Sequence, residues 1–72
     1  MALHKITVTK PNGGTQMFLE KSSGKWDCAV MPPAGADDAP MWVSDLYLEM
    51  MVAVVFAASD LGAKVEIERW SD

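Results

Sequence analysis

The chain has 72 residues, half of them apolar and 22% charged, enough for one small domain over residues 1–72 with a barely sufficient core, and this balance excludes wholesale disorder. A lone Cys28 excludes an internal disulfide framework, and no apolar run exceeds the nine residues 50–58, so neither a membrane span nor a signal segment is expected and a soluble, cytoplasmic protein is. The net charge of −4 is uneven: four lysines stand against one acid in residues 1–26, and two basic residues against nine acids in residues 27–72, which disfavours general binding to nucleic acid.

Residues 4–10, HKITVTK, alternate His4, Ile6 and Val8 on one face with Lys5, Thr7 and Thr9 on the other, the pattern of a half-buried strand. Pro11, Asn12, Gly13 and Gly14 join a fixed φ to residues that accept positive φ, which predicts a reversal into a hairpin. Its second arm is TQMFLEK, residues 15–21, with Met17 and Leu19 toward the core and Phe18 pointing away. After a turn at SSGK, residues 26–31, WDCAVM, form a third strand with Trp26, Cys28 and Val30 on one face. Residues 32–40, rich in proline, alanine and aspartate, read as a loop leading to a helix.

Residues 44–61 are too long for an ordinary strand, rich in Leu, Met, Ala and Glu, and followed by Gly62. They predict a helix about 27 Å long at ~1.5 Å per residue. Two starts are offered: Asp38 as an N-cap with Pro40 in the first turn, or Ser44 with Asp45. Val52, Val54 and Val55 favour a strand, but length and the stop signal outweigh them. Finally KVEIERW, residues 64–70, alternates Val65 and Ile67 against Lys64, Glu66 and Glu68. The order β-β-β-α-β predicts an α+β fold, an antiparallel sheet of three to four strands with one helix packed on a face.

From Leu46 to Ala58 the only polar side chain of full charge is Glu49, so the helix is apolar nearly all round. A sheet can cover Leu46, Met50, Ala53, Ala57 and Leu61, or the neighbouring Tyr47, Met51, Val54 and Ala58. It cannot easily cover both along with Leu48, Val52, Val55 and Phe56. Either the 32–40 loop with Met31, Met41 and Trp42 folds over the remainder, or another chain does.

Chemistry finds little footing. His4 and Cys28 are too few for a metal site, and as a nucleophile–base pair they lack an orienting third group, so no metal, no cofactor and no enzymatic activity are expected. Asn12, Gly13 and Gly14 open no helix and lack the lysine of a phosphate loop. Phe18 and Trp70 fall on the register opposite the core and could stack bases, but Asp27, Glu66 and Glu68 share that face and repel phosphate. Acids beside aromatics suit a basic protein surface better, with Asp37, Asp38, Trp42, Glu66, Glu68 and Trp70 as the contact residues.

In layout, the strand pair in ITVTKPNGGTQMFLEK, the third strand, the Pro/Gly/Ala/Asp loop, the Met- and Ala-containing helix and the closing strand resemble small type I anti-CRISPR proteins of phages and mobile elements. The resemblance implies an inhibitor that binds a CRISPR effector subunit or another nucleoprotein complex by shape and charge. The expected function is therefore a small acidic protein-binding module. The alternatives are a homodimer built on Leu48, Val52 and Phe56, and, more weakly, a binder of single-stranded nucleic acid.

Overall fold

In the computed structural model, which describes residues 2–71 apart from the side chain of Ser71, two turns of one kind fold the first half of the chain. Strand β1 (Leu3–Thr9) leads into β2 (Thr15–Glu20) and then β3 (Trp26–Met31). Gly13 N–H donates to the Lys10 carbonyl and Gly24 N–H to the Lys21 carbonyl, each at 2.9 Å. Both glycines hold positive φ, 91° and 88°, which a side chain resists. Pro11 supplies the fixed φ that the first turn needs, and the Asn12 carboxamide oxygen accepts from Gly14 N–H at 2.9 Å.

These turns set the register. Thr9 pairs with Thr15, which places Ile6 opposite Phe18 and Phe18 opposite Cys28. Phe18 is thus fully buried, and Met17 and Leu19 lie on the other face, the reverse of the sequence expectation. In TQMFLEK both parities offer apolar residues, so alternation alone does not choose a face; the turn does, because a shift of one residue flips every side chain. Phe18 is also removed from any base-stacking surface. Ile6, Val8, Trp26 and Cys28 join it in the core as expected, and among the described residues no polar or charged one is buried.

The largest departure follows the 32–40 loop. Residues 41–46, expected in part to begin the helix, form a strand, β4 (Met41–Leu46), along the outer edge of β3. Trp42 and Val43 fit a pleated surface, and pairing gives partners to β3 backbone groups that a helix would have left open. The register shifts between Trp26 and Cys28, where Asp45 adopts φ 60° and its N–H donates to Asp27 Oδ1 at 3.2 Å. Asp38 and Pro40 therefore cap no helix, and neither do Ser44 and Asp45.

Helix α1 (Leu48–Asp60) has 13 residues, with Tyr47 as an N-cap that offers no side-chain hydrogen bond. It ends in a tight reverse: Gly62 N–H meets the Ser59 carbonyl and Ala63 N–H the Ala58 carbonyl, each at 3.0 Å, with Gly62 at φ 93°. Strand β5 (Lys64–Ser71) then pairs with β1. The sheet has five antiparallel-paired strands in the order β4-β3-β2-β1-β5, one more than the upper expectation, and the element order is β-β-β-β-α-β.

Met51 is buried, and Val52, Val55 and Ala58 pack against the core beside it. The covered face shares only half of the second expected stripe: Met51 and Ala58 are covered but Tyr47 and Val54 are exposed, Val52 and Val55 turn inward in their place, and of the first stripe Met50, Ala53, Ala57 and Leu61 are exposed. A helix apolar on nearly all sides does not choose its own rotation. Leu46, packed on the core at the end of β4, fixes the point from which α1 starts and so its phase. No helix among the described residues is long and apolar enough to cross a membrane.

Candidate protein-binding surface

The residues expected to form one contact site are held at opposite edges of the sheet. Trp42 lies on β4, where it pairs with Ala29 on the face away from α1, and its Nε1 donates to Ser44 Oγ at 2.8 Å. Glu66 and Glu68 lie on β5, opposite Thr7 and Lys5. Four strand spacings of ~4.8 Å, about 19 Å, separate those two edges. Trp70 falls at a register shift, between the His4–Arg69 and Leu3–Ser71 pairs. Asp37 and Asp38 sit in the exposed loop before β4.

Charge pairing sorts the acids further. Lys5 Nζ stands 3.3 Å from Glu68 Oε1, and Lys64 Nζ 3.9 Å from Glu66 Oε1, so the two β5 glutamates are already partly neutralised. Lys21 bridges Asp27, at 3.3 Å, and Asp45. Its hydrogen bond to Asp45 raises the Lys21 pKa and holds the Asp45 carboxyl below the usual carboxylate range. His4 Nδ1 lies 3.0 Å from Glu20 Oε1, and Lys25 stands over the Tyr47 ring at 5.4 Å. Among the described residues, Asp37, Asp38, Glu49 and Asp60 are the acids left without an ion pair or a side-chain hydrogen bond.

Apolar side chains stay exposed in more than one place, Leu48 and Phe56 on one flank of α1 and Ile67 on β5 among them, and the longest row lies on the other flank. Along this second flank, Tyr47, Met50, Val54, Ala57 and Leu61 are all exposed, with Leu61 at 81%. Their three- and four-residue spacing stacks them in a stripe, turned about a quarter of a circle from the buried Met51–Val55–Ala58 row. On the sheet below, Met41 pairs with Val30 and Val43 with Cys28, hence on the same face as α1. Cys28 is covered, yet Met41 is 61% exposed and Val43 38%, so the cover ends between β3 and β4.

Two shallow clefts join these surfaces. Ala58, Leu61 and Ala63 line one with Lys10, Pro11 and Asn12. Val30, Met41, Pro33 and Asp38 line the other, again with Lys10 and Asn12. Strands β4 and β5 run parallel, and a right-handed crossover between them through α1 turns the stripe toward the β3–β4 side of the sheet. The remaining free acids border this trough: Asp38 with Asp37 beside the sheet floor, Glu49 and Asp60 on the side of α1 away from the sheet.

The spacing of the stripe was present in the sequence, but it pointed inward as readily as outward until the end of β4 was known. Elsewhere the other face of the sheet carries Met17 and Leu19 among Thr7, Thr9, Thr15 and the Lys5–Glu68 pair, a mixed surface that no element covers. His4 and Cys28 lie on strands separated by β2, and burial pushes the Cys28 thiol up, away from its nucleophilic form. No group of three or more His, Cys, Asp or Glu able to hold a metal occurs among the described residues. Compared with protein-family models, with curated proteins and with solved structures, the chain matches none.

Proposed function

We propose that this chain is a small acidic protein-binding module that acts by occupying a partner's surface. One observation carries the reading: the exposed flank of α1 and the bare β4 floor make an apolar trough around which Asp37, Asp38, Glu49 and Asp60, the described acids with no ion pair or side-chain hydrogen bond, outnumber Lys10. Apolar centres with polar rims are the anatomy of protein interfaces, and rim charge chooses the partner and speeds encounter. The fitting partner has an apolar patch bordered by Lys and Arg. Surfaces so charged commonly bind nucleic acid, and occupying one makes the module an inhibitor, the role implied by its layout resemblance to type I anti-CRISPR proteins.

Affinity capture with immobilised wild-type chain, a Val54→Glu variant and an Asp37→Lys/Asp38→Lys variant tests the reading, with retained proteins identified from lysates with and without CRISPR machinery. Wild type is expected to retain a basic protein that both variants lose and that salt releases. Equal retention by the doubly reversed variant at low salt rejects the acidic rim. Glu66→Lys/Glu68→Lys is expected to change retention little, because both glutamates already lie beside lysines.

A further inference from the structure

Resting on that reading, we infer that the segment received by the trough is an amphipathic helix with basic flanks, which completes the helical layer that α1 begins. The sheet is about 19 Å across its five strands, whereas one helix with its side chains is about 10–12 Å wide. A single helix leaves sheet bare at both edges, at β5 where Ile67 is exposed and at β4 where Met41 and Val43 are, all on the helix-bearing face; the β4 strip is the one that the α1 stripe borders. The wall of that strip is the α1 stripe. Its spacing of three and four residues is the periodicity at which a facing helix inserts its own side chains, whereas an extended strand meets neighbours at a period of two. From Tyr47 to Leu61 the stripe runs about 21 Å at ~1.5 Å per residue, four turns of a facing helix.

Charge decides between a foreign helix and a second copy. Around the trough Asp37, Asp38, Glu49 and Asp60 outnumber Lys10, and α1 has no lysine or arginine between Leu48 and Leu61. A second α1 would bring acids to acids. A helix with Lys or Arg beside its apolar row meets them with opposite charge.

The test is an NMR titration of the whole labelled chain with three synthetic peptides of about 15 residues, the length that spans the stripe. One carries Leu at helical spacing among Lys, one has the same composition with Leu at every second position, and one has helical spacing with Glu for Lys. The basic helical peptide is expected to shift the resonances of Met41, Val43, Val54 and Leu61 and to gain helical circular dichroism on binding. Val54→Glu and, from the sheet side, Met41→Glu should each weaken it at least about tenfold, a loss of ~1.4 kcal/mol. Equal binding of the alternating peptide at the same residues overturns the helical occupant and leaves the acidic-rim reading standing. Equal binding of the acidic helix overturns the rim reading itself. Dimerisation of the chain alone that shields these four residues replaces the foreign helix with a second copy, and absence of binding by all three peptides overturns the inference.

Discussion

Phe18 carries more of the fold than any neighbour, since it is fully buried between Ile6 and Cys28 at the centre of the sheet. Phe18→Ala is expected to cost about 3–5 kcal/mol, against under about 1 kcal/mol for Met17→Ala on the open face, as read by urea denaturation. In a domain of this size the first loss approaches the whole stability. The sequence displayed both side chains but not their faces, because Met17–Phe18–Leu19 is apolar at both parities. By contrast, Ile6, Val8, Trp26 and Cys28 were legible because polar residues or a turn break the other parity. The Lys21–Asp45 pair was not legible, since it joins a turn to a strand expected to be helix. Asp45 has a lowered pKa in the folded chain, so it favours folding above its unfolded value of about 3.9, and that contribution is lost as pH falls through the folded value. Stability measured against pH for the chain and for Asp45→Asn should therefore differ near neutrality and converge in acid.

α1 is poorly finished for its own stability at both ends. Tyr47 occupies the N-cap with extended backbone, φ −72° and ψ 152°, yet supplies no hydrogen bond to the first turn. Asp60 places a negative charge in the last turn, where the helix dipole is negative and no basic residue balances it. Tyr47→Asp is expected to stabilise the chain by about 0.5–1 kcal/mol through capping, less what the Lys25 contact with the ring contributes. Asp60→Lys is expected to add about 0.3–1 kcal/mol. Both should weaken binding at the trough, since they remove part of its wall and part of its rim; thermal denaturation and the peptide titration read the two effects separately. A helix end that gains stability and loses binding is the signature of a residue kept for contact. The existence of α1 and its stop at Gly62 were readable from composition and the glycine. Its start was not, because the cap signals at Asp38 and Ser44 belong to a loop and an edge strand, and nothing local marks Tyr47.

At the scale of the molecule, β1 to β4 follow one another as a meander while α1 carries the chain across the sheet, so that β5 pairs with β1 on the far edge. This connection divides the fold by sequence distance. The contacts of β1 with β2, β2 with β3 and β3 with β4 close short loops, whereas residues 3–9 and 64–71 pair across nearly the whole length of the sequence. Loop closure over roughly 60 residues costs more entropy than closing a hairpin, so the β1–β5 ladder is expected to form late. Val65, which packs on the core from β5, is then expected to act on the exit from the native state: Val65→Ala should speed unfolding and leave the folding rate nearly unchanged, as stopped-flow chevrons would read. The crossing that leaves β4 at an open edge thus makes β5 the latch of the domain, and how long a folded molecule survives is set at the edge opposite the proposed binding surface.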